Sequence, residues 1–195
     1  MGIEEVNRSL FLALNAPAGL AGISLSLAIG AAKYPILLLA GIVTWRWLLG
    51  TSGDRRVLIH VVLAVIPALA INYVVGLVFF HPRPFMIGLG HTYLAHLPEA
   101  SFPSDHATFM WTIAFGLLCW SPTRPSGWFA ALLAALTSWA RIFLGVHFPF
   151  DIAGSMAVAL FSVAALAPFR AVTARRIAEP IEAVYVFIAR RMGWR

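Results

Sequence analysis

Ala100-Ser101-Phe102-Pro103-Ser104-Asp105-His106 is the stretch on which the reading of this chain turns. It follows a run of loop-forming residues and directly precedes a long apolar segment. Pro103 ends what comes before it. Ser104 then stands at an N-cap, and Asp105 falls in the first helical turn, where negative charge suits the helix dipole. A helix that starts here presents free backbone N–H groups and a partial positive charge, a natural seat for an anion such as phosphate. His106 stands beside that seat. Two other fragments look built to meet it: His81-Pro82-Arg83-Pro84-Phe85 upstream, and the segment from Arg141 to Asp151 downstream.

The solvent for this chain is lipid. Of its 195 residues, 61% are hydrophobic and 11% are charged, against about 25% charged in an average soluble domain. Several apolar segments approach the roughly 20 residues needed to cross a bilayer. The net charge of +6 does not point to nucleic acid, because the basic residues flank apolar spans. The one cysteine, Cys119, lies in an apolar run, so no disulfide forms within the chain. Residues 1–15 are amphipathic and carry Glu4 and Glu5, unlike a cleavable signal peptide.

Taken in order, residues 4–16 read as a short amphipathic helix lying in the interface. The apolar region 18–49, interrupted by Lys33 and Pro35, is too long for one upright span. It reads as one kinked helix or as a re-entrant piece followed by a span over 34–49. Residues 50–56 read as a polar loop, and spans follow over 57–80, 104–120, 128–144 and 150–169. The tail, 171–195, reads as a surface-lying amphipathic helix. The fold class is therefore all-α: a single membrane domain of five or six transmembrane helices, with its motif-bearing core at about 57–165.

Ten of the 14 basic residues (Arg46, Arg55, Arg56, Arg124, Arg170, Arg175, Arg176, Arg190, Arg191 and Arg195) fall on one side of these spans. That side is expected to be cytoplasmic. Five crossings then put the loop 81–103 and the turn 145–149 on the outer side. Arg83, Ser104, His106, Arg141, His147 and Asp151 all come to one membrane face.

The chemistry follows from spacing. His147 and Asp151 are four residues apart and share a helix face. Asp151 accepts from the Nδ1–H of His147, which leaves Nε2 as a free lone pair, competent as nucleophile or base. Arg83 and Arg141 beside a helix start make a phosphate clamp. His106 remains as the acid for a leaving oxygen. A zinc or iron site on His106, His147 and Asp151 is the competing reading of the same types, and two neighbouring guanidiniums argue against a cation there. His60 reads as a helix-packing histidine, and His81, His91 and His96 as loop residues.

Arg83-Pro84, Pro103-Ser104-Asp105-His106, and Arg141, His147 and Asp151 together resemble the three signature motifs of the type 2 phosphatidic acid phosphatase superfamily. With Ile71-Asn72-Tyr73 and the flanking Pro82 and Phe85, they look like its bacitracin-resistance-type undecaprenyl-diphosphate phosphatases. The resemblance implies a metal- and cofactor-independent enzyme. It hydrolyses undecaprenyl diphosphate to the monophosphate at the outer face of the bacterial plasma membrane, recycling the cell-wall lipid carrier. It implies His147 as the nucleophile forming a phosphohistidine, Asp151 as its orienter and His106 as the leaving-group acid. Arg83, Arg141 and Ser104 become phosphate ligands, with Asp105 beside them.

Three positions depart from that pattern. The first motif's lysine falls at Gly76, Asp105 replaces a glycine and Ala140 a serine. Lys33, an awkward charge in an apolar region, is the candidate to replace the missing lysine at the phosphate. Partners are then the bilayer and a lipid diphosphate, without nucleic acid. The alternatives are a phosphatase for phosphatidylglycerophosphate or phosphatidate, and a non-enzymatic anion-binding transporter.

Overall fold

The computed structural model describes residues 2–193, all of whose regular elements are helical. Arg195, counted above with the cytoplasmic cations, lies outside them, as does the last part of the expected tail.

The amphipathic helix α1 spans Ile3–Leu14. Helices α2 (Gly22–Lys33) and α3 (Pro35–Leu49) are bent by 41° at Tyr34. Pro35 supplies the break: its ring is tolerated in a first turn and not in a helix interior. The bend falls where Lys33 and Pro35 interrupt the apolar region, and both readings of 18–49, a kinked span and a re-entrant piece before a span, fit it.

Helix α4 runs Ser52–Val78, so residues 50–56 are not the expected polar loop. Thr51 and Asp54 form a capping box that starts the helix early: Thr51 Oγ1 accepts Asp54 N–H at 3.2 Å, and Asp54 Oδ2 accepts Thr51 N–H at 2.8 Å. After α4 come the loop 79–104 with a 3₁₀ turn at Pro84–Ile87, α5 (Asp105–Leu118), a 3₁₀ turn at Ser121–Thr123, and α6 (Arg124–Phe143). Helix α7 spans Pro149–Leu166 and continues through a 3₁₀ turn, α8 (Arg170–Thr173) and a π turn at Ala174–Ala178 into α9 (Glu179–Arg191).

Helix α5 is the centre of the bundle, packed on α4, α6 and α7. Met110, Ala114 and Leu117 meet Val61 and Val65 of α4 and Ala130 of α6. At Gly116 an added Cβ would lie 2.8 Å from both Val61 methyls, so only glycine allows this approach. Small residues serve that purpose between membrane helices, where apolar burial alone gives little drive. Outward, Leu37, Ile66, Val74, Leu77, Leu132 and Phe161 are exposed, a surface that suits acyl chains.

Among the described residues two helices are long and apolar enough to cross a membrane, Ser52–Val78 and the continuous run Pro149–Arg191, with a third if the bent pair is one span. Helix α5, expected to cross as 104–120, has only 14 residues, about 21 Å of helix.

The tail is docked rather than simply lying on a surface. Glu182 accepts from Arg55 and Arg56 at 3.3 Å each, and Glu179 pairs with Arg56 at 3.5 Å. Arg46 ties α3 to Asp54 (2.9 Å) and to Ser126 of α6 (2.8 Å). These cations gather at the start of α4. Its other end leads to the loop that carries Arg83.

Candidate active site

The three fragments meet around one cavity of about 410 Å³, lined by Arg83, His96, Asp105, His106, Arg141 and His147. One wall is apolar and comes from α4: Leu69, Tyr73 and Leu77.

The turn before His147 explains how that ring is presented. Gly145 has φ +81°, and a side chain there would run into the His91 carbonyl. Glycine is the residue for such a left-handed, crowded position. The chain then reverses, and Pro149 opens α7 with Asp151 in its first turn. Asp151 Oδ2 accepts the Phe148 N–H at 2.7 Å and the Ser101 hydroxyl, and faces His147 Nδ1 at 3.3 Å.

The tautomer of His147 follows from its neighbours. Arg83 Nη1 stands 3.0 Å from Nε2. A guanidinium only donates, so Nε2 is the acceptor and Nδ1 carries the hydrogen. That hydrogen is met by the Ser101 carbonyl at 3.1 Å and by Asp151. Burial holds the His147 pKa below its ordinary value against the pull of Asp151, so the ring is neutral. Nε2 carries the lone pair, but it is not free as expected, because Arg83 donates to it.

Ser104 occupies the N-cap position but does not cap. Its hydroxyl lies 3.0 Å from His147 Nε2, and its backbone N–H donates to Ser155 Oγ at 2.9 Å. The first-turn N–H groups of α5 have no acceptor in their own helix. Two donors thus converge on Nε2, beside a helix start.

Arg83 is fully engaged. It donates to the carbonyls of Val146 (3.1 Å), Glu99 and Ala100 (3.2 Å each), and to the Glu99 carboxylate at 3.2 Å. Arg141 is the opposite case. It is 3% exposed, and its Nε and Nη2 have no hydrogen-bond partner among the described residues. A buried cation in that state is costly, and it lines the cavity. The arrangement asks for an anion.

Comparison with known proteins reaches the same place. The PAP2 superfamily model matches residues 57–174. The chain belongs to the PAP2 superfamily. It is 36% identical over 156 residues, 79% of this chain and 77% of the other, to YbjG of Escherichia coli, whose name gives undecaprenyl-diphosphatase as a provisional assignment. It is 38% identical over 128 residues, 66% of this chain and 65% of the other, to the undecaprenyl-diphosphatase BcrC of Bacillus subtilis. Two solved structures share the fold at low identity. Aquifex aeolicus LpxE has a TM-score of 0.70 and 20% identity, covering 86% of this chain and 99% of that one. A PAP2-type phosphatidylglycerolphosphate phosphatase of Bacillus subtilis has a TM-score of 0.60 and 18% identity, covering 86% and 85%. The expected membrane bundle and the resemblance to the bacitracin-resistance branch are borne out, and the chain is an enzyme of a phosphatase family.

Lys33 does not join this PAP2 site. Thr137 donates to the Ala31 carbonyl, which sets Ala31 one helical turn below Arg141 along α6. Lys33 lies beyond it, exposed, and does not line the cavity. Lys33→Ala is therefore expected to leave KM and kcat for a lipid phosphate within about twofold, the range of a surface change, in a phosphate-release assay. Gly76 does line the cavity, so the first motif's lysine position is present without its cation. Asp105 lines it too, but its carboxylate accepts the Asn72 amide at 2.8 Å. Only its backbone N–H remains for an anion.

Several site residues escaped the sequence reading. Ser101 holds Asp151, and Asn72 holds Asp105 and Thr108. His96 is no plain loop residue: it stands edge-on to His147 with ring centroids 6.1 Å apart, and Glu99 lies 3.6 Å from it. His81 reaches Asp151. The tripeptide Ile71-Asn72-Tyr73 carried a signal for Asn72 and for Tyr73 of the cavity wall. Among the described residues no group of three or more His, Cys, Asp and Glu side chains is placed to hold a metal ion.

Proposed function

We propose that this PAP2 enzyme hydrolyses undecaprenyl diphosphate to undecaprenyl phosphate and orthophosphate at the outer face of the bacterial plasma membrane. One feature carries the reading: Arg141, a buried guanidinium whose Nε and Nη2 have no acceptor among the described residues, lines a cavity beside Nε2 of His147. The curated relatives named above supply the lipid. The apolar wall of Leu69, Tyr73 and Leu77 adjoins the exposed face of α4 at Val74 and Val78, which suits an isoprenoid tail lying in the bilayer. The clustering of Arg46, Arg55 and Arg56 at the far end of α4 supports an outward-facing site.

The mechanism needs two displacements. His147 Nε2 attacks the terminal phosphorus. A P–N bond forms, and the P–O bond to the lipid monophosphate breaks, with His106 giving its proton to the departing oxygen. Attack by Nε2 releases the two donors it accepts at rest, Arg83 Nη1 and the Ser104 hydroxyl, and these join Arg141 and the α5 N–H groups in holding the non-bridging oxygens, where charge spreads in the transition state. The Nδ1–H stays on Asp151, whose charge balances the phosphorylated imidazolium. Water then attacks phosphorus, the P–N bond breaks, its proton passes to His106, and orthophosphate leaves.

The test is phosphate release by the purified full chain from undecaprenyl diphosphate, phosphatidylglycerophosphate and phosphatidate, each with and without chelator. Release fastest from the polyprenyl diphosphate and unchanged by chelator is expected, since two guanidiniums already occupy the place of a cation. Preference for a glycerolipid would overturn the substrate. No release from any would leave the anion-binding transporter. Expression in a bacitracin-sensitive bacterium is expected to raise tolerance, because the lipid diphosphate that bacitracin captures is consumed.

A further inference from the structure

His81 sits between two carboxylates. Its Nδ1 faces Asp151 Oδ1 at 3.6 Å, and both are buried atoms without a hydrogen-bond partner among the described residues. Its Nε2 stands 3.4 Å from Glu4 Oε2 of α1. The ring is pinned: Phe79 lies parallel at 6.3 Å between centroids, and Phe148 meets it edge-on at 5.2 Å. Its backbone carbonyl accepts the Ser101 N–H at 2.7 Å. The Ser101 hydroxyl is the one that donates to Asp151 Oδ2.

We infer that His81 is a positioning residue for His147, acting as an imidazolium that joins Glu4 to the second oxygen of Asp151. The inference rests on the phosphatase reading above. Only the doubly protonated ring has an N–H for each carboxylate. With Oδ1 held by His81, Oδ2 stays on the Nδ1 side of His147, and the lone pair stays aimed into the cavity. Neither role is written in the three motifs. His81 is two residues from Arg83 and reaches the site from the other side of Asp151.

Charge favours this state. The charged groups about His81 are Asp151 from α7, Glu4 from α1, and Arg8, which takes the other oxygen of Glu4 at 2.8 Å. Arg83 turns toward His147 instead. The Asp151 carboxylate facing Nδ1 raises the His81 pKa against burial, and Glu4 adds to it. The sign follows: the ring is charged below its raised pKa, and the bridge is lost as pH rises through it. Turnover should therefore fall on the basic side.

The experiment measures kcat and KM against pH for undecaprenyl diphosphate, with the full chain in detergent. His81→Phe removes both N–H groups. It is expected to lower kcat by about 10-fold, as loss of an orienting partner does, with KM unchanged. His81→Asn keeps one N–H that does not titrate, so it should recover most of kcat and flatten the basic limb. Glu4→Gln should move that limb to lower pH. Wild-type kcat in His81→Phe, or a wild-type basic limb in His81→Asn, overturns the inference. If His81→Phe does not fold, the other two variants decide. A wild-type chain inert on every lipid phosphate overturns the phosphatase reading and this one with it. An active wild type with indifferent variants overturns this one alone.

Discussion

His147→Gln is expected to stop turnover, lowering kcat by about three orders of magnitude or more, as removal of a nucleophile does. Glutamine is the informative replacement. His147 is 1% exposed and touches Arg83, Ser104, Ser101 and Asp151. Alanine would leave a cavity and a guanidinium without its acceptor, and a loss of fold would be mistaken for a loss of chemistry. The glutamine amide keeps an acceptor and a donor in roughly the same place and cannot form a phosphoramidate that turns over. Phosphate release and thermal unfolding, measured together, separate the two causes. Terminally labelled substrate, quenched in alkali during turnover, should leave acid-labile label on the wild-type protein and none on the variant. Residual turnover near the wild-type rate would remove His147 from the covalent step.

Much of this site was legible because its parts obey helical or motif spacing. His147 and Asp151 share a face by a period of four, and the side chains of Arg83 and Arg141 are where two span ends should put them. What spacing does not encode is contact between distant loops. Ser101 meets Asp151 across 50 residues and Asn72 meets Asp105 across 33. No periodicity joins such pairs. Ser104 shows the same limit at short range. Its position predicted a cap, and it holds that position, yet a stronger competitor for its hydroxyl, the His147 lone pair, turned up from α7's side of the bundle. Lys33 shows the reverse error. An odd charge in an apolar run looked like a functional one, but the bend at Tyr34 leaves it exposed at the end of α2. The early start of α4 was readable in principle from Thr51 and Asp54, a capping pair hidden in a segment whose charges suggested a loop.

Arg141→Met should give the most diagnostic outcome, because activity and stability move in opposite directions. Arg141 is buried, with Nε and Nη2 lacking acceptors among the described residues. Removing a cation from water costs several kcal/mol unless it is paired. Methionine fills nearly the same length with an apolar chain, so the unloaded bundle should melt at a higher temperature. Turnover should fall by about 10²- to 10³-fold, the loss seen when one donor to a developing oxyanion is deleted. Arg141→Lys restores the charge without the planar fork, so it should recover only part of kcat and none of the gain in Tm. Orthophosphate supplies the missing partner: it should raise the wild-type Tm by mass action and leave Arg141→Met unmoved. A methionine variant that is less stable yet equally active would make Arg141 a structural residue. The phosphate clamp would then reduce to Arg83, whose donors the protein's own carbonyls already take.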